Sequence, residues 1–320
     1  MTRLISRILP ALLLLGAVSW LQAQTPAPQP PASAPATTPS TAPLPDIPTL
    51  MREVESRERK AETVEKDYIY RESSVVDELD GHGAVKKTRT REFDIFWLDG
   101  VNVRKLVKKD GKDLTPDELQ KESERIDKMV AEAHERRAKA DAKGKETDSH
   151  GHDEITVSRM LELGAFTNAR REQVAGRDTI AVDFTGDPKA KTRNPGEAAI
   201  HDMAGTVWID EVDKSLTRID GRFIHPFKIG GGLVVDVKQD TSYSIRFRKI
   251  NSEVWLPEGF DAHGHARILL FTNFDGNIHV HDGDYRKFRA SATLLPGLTQ
   301  VDDAKPTEAK PSDTPPASKP

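Results

Sequence analysis

Between residues 47 and 65, apolar side chains recur at helical spacing. Ile47, Leu50, Met51, Val54 and Ala61 fall roughly on one side, which predicts a helix. The period then drops to two. Residues 67–79 and 84–98 read as strands joined at Asp80-Gly81-His82-Gly83, with Phe93, Ile95 and Trp97 on one face of the second. Asp99-Gly100 turns the chain into a third strand at 101–108, and Asp110-Gly111 turns it again. The pattern predicts a three-strand antiparallel meander.

A second helix has a well-marked start. Thr115 supplies an N-cap hydroxyl, Pro116 fits the first helical position, and Glu118 is placed for a capping box. The helix should run to about residue 142. Leu119, Ile126, Val130 and Ala133 mark a narrow apolar stripe on a heavily charged surface, as in a helix that lies on a sheet with most of its circumference wet. Residues 143–154 form a polar loop.

Strands resume beyond it. Residues 173–184 contain Gly176 as a turn, and 205–210 and 216–224 flank a turn at 211–214. Residues 233–238 are expected to pair with 242–250, with Tyr243, Ile245 and Phe247 inward and Ser244, Arg246 and Arg248 outward. A short strand at 253–256 should end at Pro257. The last hairpin is expected to run 262–273 and 278–290, turning at Asp275-Gly276. Repeated hairpins with few helices predict an α+β fold, mainly antiparallel β: a curved, incompletely closed β-barrel with covering helices.

Composition adds the compartment. Arg3 and Arg7 precede an apolar run over residues 8–21, and Ala23 offers a small residue for cleavage before Gln24, the layout of a secretory signal peptide at 1–23. The run is near the lower limit for crossing a bilayer and no charged anchor follows it. The chain is therefore expected to be exported, periplasmic or extracellular, and soluble, with no transmembrane anchor after cleavage. Residues 24–46 and 302–320 are rich in Pro, Ala, Thr and Ser and are expected to be disordered tethers. One β-rich domain would span 47–301, with the helical insertion at 115–142. The absence of cysteine excludes disulfides, thiol catalysis and Cys-ligated zinc.

The formal charge is −4, and removing the two positive charges of Arg3 and Arg7 with the leader leaves −6. Acidic and basic groups alternate, no long basic block tracks a phosphate backbone, and no nucleic-acid partner is expected. The stretch from Val85 to Arg91 is locally basic; alternating polar residues of this kind mark the solvated face of a strand.

Candidate chemistry is sparse. There is no G-x-S-x-G elbow, P-loop or Rossmann fingerprint, and Gly230-Gly231-Gly232 reads as a corner, since no helix follows it. No catalytic residue and no cofactor are predicted. Three His-x-His pairs occur, His150/His152, His263/His265 and His279/His281, and the last two suggest a four-histidine metal site. A two-residue turn at Asp275-Gly276 would set His279 opposite Thr272 and His281 opposite Leu270, with His263 and His265 on the other face, which argues against such a site. Trp97, Trp208 and Trp255 fall in strands. With Phe93, Tyr243 and Phe247 they are candidates to line an apolar ligand cavity.

The segment Arg171-Glu172-Gln173-Val174-Ala175-Gly176-Arg177, leading to Val182-Asp183-Phe184, is followed by Gly205-Thr206-Val207-Trp208-Ile209-Asp210 and Leu216-Thr217-Arg218-Ile219-Asp220-Gly221. This series resembles exported outer-membrane lipoprotein-sorting proteins of the LolA/LolB and RseB/MucB-like group. The resemblance implies an unclosed antiparallel barrel plugged by helices. Its hollow would receive acyl chains of lipoproteins, or sense envelope lipids or proteins, without enzymatic chemistry. The expected function is an exported binding or carrier protein for a lipid or lipoprotein acyl chain. An alternative is an envelope regulatory or scaffold protein docking a protein partner through its charged helix. A metal-dependent hydrolase is a third.

Overall fold

Asp46 begins helix α1 (Ile47–Glu65) by accepting the Thr49 N–H at 3.1 Å, and the apolar side of the helix buries Leu50, Met51 and Val54 completely. The computed structural model describes residues 42–268 and 272–288. The chain divides into two units, Met1–Phe288 and Arg289–Pro320, and the second lies outside the described residues. So do the expected signal peptide and C-terminal tether, and all but residues 42–46 of the N-terminal one.

The meander forms as its periodicity predicts: β1 (Tyr68–Leu79), β2 (Val85–Leu98) and β3 (Val101–Lys109), followed by the two-residue β4 (Lys112–Asp113). Helix α2 (Pro116–Asp141) carries the complete capping box between Thr115 and Glu118, a device worth about 1 kcal/mol.

Helix α3 (Val157–Leu163) leads directly into β5 (Gly164–Val174), which turns at Ala175-Gly176 into β6 (Arg177–Gly186). Helix α4 (Pro195–His201) precedes β7 (Met203–Asp210) and β8 (Leu216–Phe223). The short strands β9 (Phe227–Ile229) and β10 (Val235–Val237) flank a turn of 3-10 helix at Gly230–Gly232, where all three glycines have positive φ. Then come β11 (Ser242–Ile250), β12 (Val254–Ile268) and β13 (Thr272–Lys287).

All pairings are antiparallel. The sheet runs β4-β3-β2-β1-β13-β12-β11-β8-β7-β6-β5, with β9 and β10 attached beside β12. Its two ends, β4 and β5, do not pair with each other, so the barrel is not closed.

Four expectations need correction. The region 155–172 contains α3 and β5, and residues 195–201 form α4; none of these was read from the sequence. Strand β10 pairs with β9 and β12, while β11 pairs with β8 and β12, so 233–238 and 242–250 are not partners. Pro257 does not end a strand, because it sits at a register shift inside the long β12, where a missing N–H is tolerated. Finally, Asp275-Gly276 lies within β13 rather than at a turn, and β12 and β13 remain paired as far as Ile268 and Thr272. Gly276 is there for close approach. A Cβ at this position would come within 1.9 Å of the Asp77 carbonyl oxygen on β1.

Candidate functional site

Residues paired across strands share a face, so the register defines what the sheet presents. One cross-sheet row reads Arg91, Ser74, Val280, Phe260, Ile245, Ile219, Val207, Val182. At its far end Ile245, Ile219, Val207 and Val182 pack with Leu50, Met51 and Val54 of α1 in the main core cluster. The face on which α1 lies is the inner face. A neighbouring inner row reads Arg89, Val76, Ile278, Ala262, Tyr243, Gly221, Gly205.

The middle of these rows is mostly apolar and unevenly covered: Ile278 and the polar Ser74 are buried, and their neighbours are less so. Val76, Val280, Ala262, Phe260 and Tyr243 are half-buried, between the α1-packed core on one side and the arginines of β2 on the other. The Phe260 and Tyr243 rings stack with centroids 6.5 Å apart. Small residues keep this floor low: a Cβ on Gly221 would meet the Tyr243 ring at 2.5 Å. Burial of the Tyr243 hydroxyl, with Asp220 nearby, raises its pKa above the usual phenol value.

The edge of the region, on β2 and β3, is charged. Arg104 lies over the Phe93 ring at 3.3 Å and donates to Glu72 at 2.9 Å. Arg89 pairs with Glu78 at 2.6 Å. Burial, together with the positive charges of Arg104 and Arg89, lowers the pKa of Arg91 from the ordinary guanidinium value. The basic stretch read from sequence as a solvated face therefore sends Arg89 and Arg91 to the inner face, where only 15% of the Arg89 side chain is exposed.

The aromatic candidates separate. Tyr243 and Phe247 pack against the core cluster under α1. Phe93 is buried in a satellite cluster with Tyr70, Ile95 and Leu106, and Lys66 lies 5.3 Å from the Trp97 ring. Trp208 is on the opposite, outer face: its indole N–H donates to Glu172 at 2.7 Å and Arg218 lies 5.0 Å from its ring. The Trp255 indole donates to Asp213 at 3.0 Å, in an ionic cluster with Arg177 and Lys249. The six do not share one surface.

The histidine register also changes. His263 pairs with Asn277, His265 with Asp275, His279 with Asp261 and His281 with Gly259, which places all four histidines on the outer face. This parity differs from the sequence reading because the turn is not at Asp275-Gly276. Three of the rings engage the residue directly across: His263 with Asn277 at 2.8 Å, His265 with Asp275 at 3.1 Å and His279 with Asp261 at 2.7 Å. Among the described residues no group of three or more His, Asp or Glu is placed to hold a metal ion.

The stripe on α2 is largely occupied. Ile126 is only 6% exposed and Ala133 is buried, while Leu119 remains 47% exposed. No described helix is long and apolar enough to cross a membrane.

No family model and no curated protein sequence matches this chain. Among solved structures it is similar to a domain described as an outer membrane lipoprotein-sorting protein from Vibrio parahaemolyticus. Identity is 10% and TM-score 0.33, over 74% of this chain and 92% of that one. A LolA superfamily protein from Nitrosomonas europaea gives 8% and 0.28, over 74% and 93%. MucB, in a complex with periplasmic MucA, gives 8% and 0.19, over 74% and 100%. Likeness at this level leaves function to be argued from the residues themselves.

Proposed function

We propose that this chain is an exported binding or carrier protein that holds a single apolar chain, such as a lipid or lipoprotein acyl chain, on the inner face of its open sheet. The observation behind this reading is the half-buried apolar floor of Val76, Val280, Ala262, Phe260 and Tyr243. Phe260 and Tyr243 reach the cluster under α1, whereas Val76, Val280 and Ala262 belong to none of the core clusters of the described residues. An alkyl chain laid along it would bind by burial alone, at about 0.8 kcal/mol per methylene, with no covalent step. Phe247 belongs to the same inner surface, whereas Trp208 belongs to the outer one and is not part of the proposed site.

The test is native mass spectrometry of the chain purified from a Gram-negative periplasm, followed by lipid extraction and titration with fatty acids of increasing length. A co-purifying amphiphile, or affinity that rises about fourfold per methylene, supports the reading. A ligand-free mass, with no uptake of any chain length, refutes it.

A further inference from the structure

The apolar floor has two unlike ends, and at the β2 end Arg89 carries more hydrogen-bonding capacity than its partner Glu78 consumes. Arg89 and Arg91 are two residues apart on one strand face, about 6.6 Å at the usual strand rise. Each heads a cross-strand row: Arg89 is followed by the apolar Val76 and Ile278, Arg91 by the hydroxyl of Ser74 and then Val280. Arg104 continues the line, stacked on Phe93 and anchored by Glu72. Arg89 is the telling member. Its contact with Glu78 runs through Nη2, while Nε and Nη1 are buried and lack a hydrogen-bond partner. Buried guanidinium donors without acceptors cost free energy, and an arriving anion removes that cost.

We propose that the Arg89–Arg91 end of the inner face binds the anionic head of the amphiphile whose chain lies on the apolar floor, so that the ligand class is a phosphate- or carboxylate-headed lipid rather than a neutral one. This rests on the reading of the floor as a chain-binding surface and adds its polarity and direction: head at β2, tail toward Tyr243 and α1. Other charged groups around this end include Lys87 on β2 (opposite Glu78), Glu72 and Glu78 on β1, Arg104 and Lys109 on β3, Asp110 beyond β3 and Glu118 on α2. Glu72 is engaged by Arg104, Glu78 by Arg89, and Glu118 by Lys109 and the Thr115 N–H.

The experiment compares dodecyl phosphate, lauric acid and 1-monolauroylglycerol on the full chain, each competing with a bound fluorescent fatty acid. Wild type, Arg89→Gln and Arg91→Gln are measured, with inorganic phosphate alone as a further arm. The expected result is anionic heads preferred by about tenfold or more in the wild type, and a ratio of anionic to neutral affinity, taken within each protein, that shrinks in both variants. Equal affinity for neutral and anionic heads in the wild type would overturn the head site and leave the apolar site standing. No binding of any amphiphile would overturn both. Tight binding of inorganic phosphate that does not affect the bound fatty acid would assign the arginines to a free anion and also overturn the proposal. The wild-type comparison decides the matter even if a variant fails to fold.

Discussion

The Glu122 carboxylate of α2 accepts the backbone N–H of Leu106 at 2.7 Å, so a helix side chain completes a hydrogen bond on the side of β3 beyond the reach of β4. Arg125 adds the complementary contact, donating to the Arg104 carbonyl at 2.7 Å while bound to Glu122. An exposed strand edge is a template for unwanted pairing, and this pair closes part of one. Glu122→Ala should therefore cost about 1 kcal/mol, because it removes the acceptor of the part-buried Leu106 N–H. It should also increase self-association. Urea unfolding and sedimentation velocity measure the two effects, and an unchanged midpoint with an unchanged monomer would remove the edge-capping role.

Local signals are legible in this sequence, whereas irregular and long-range features are not. Helix α1 and the capped start of α2 declare themselves through spacing and through Thr115, Pro116 and Glu118, which act locally. Strand β5 hides because Asn168 has a positive φ and the register shifts between Thr167 and Arg170, which breaks the alternation of a mostly polar segment. Asp275-Gly276 looks like a turn, yet Gly276 serves the approach of the β1 backbone, a tertiary requirement that leaves no local trace. That single misplacement moved two histidines to the wrong face. The inner position of Arg89 was missed for a related reason: alternation shows that β2 has two faces, but not which one the rest of the chain encloses.

Acid should weaken the loop that follows α2. Asp148 is buried, which opposes its ionisation, but hydrogen bonds from the His152 side chain and from the N–H groups of His152 and His150 outweigh that and hold its pKa at about 2. An unfolded aspartate titrates near 3.9, so the folded value is depressed. The stability it contributes is complete above about pH 4 and is lost as pH falls through about 2, with a magnitude of roughly 2 kcal/mol. Asp148→Asn should flatten the dependence of stability on pH across that window. An identical slope in wild type and variant, measured by chemical denaturation between pH 4 and 2, would count against Asp148 as the titrating group.

Filling the floor should abolish binding without unfolding the chain. Ala262 is half-buried on the inner face, between Ile278 and Tyr243. Ala262→Trp places a large ring where an alkyl chain would lie, and should reduce fatty-acid affinity by about tenfold or more, the equivalent of losing two or more buried methylenes. Trp208→Phe, on the outer face, should leave affinity unchanged. If Trp208→Phe abolishes binding and Ala262→Trp does not, the ligand lies on the other side of the sheet.

Gly205 and Gly221 face each other across β7 and β8, yet they should respond differently to the same substitution. A Cβ at Gly205 would sit 2.0 Å from the Asp220 carbonyl oxygen, which is backbone within a paired strand and cannot yield cheaply. The nearest atoms to a Cβ at Gly221 are in the outer part of the Tyr243 ring, at 2.5 Å, and a ring can rotate away. Gly205→Ala should therefore cost at least about 2–3 kcal/mol through overpacking and local loss of pairing. Gly221→Ala should cost about 1 kcal/mol or less while displacing Tyr243 on the ligand face. Its signature is a change in fatty-acid affinity larger than its change in unfolding midpoint. Equal destabilisation by the two alanines would mean that Tyr243 is fixed as rigidly as the backbone, and that the floor has no room to adapt to a bound chain.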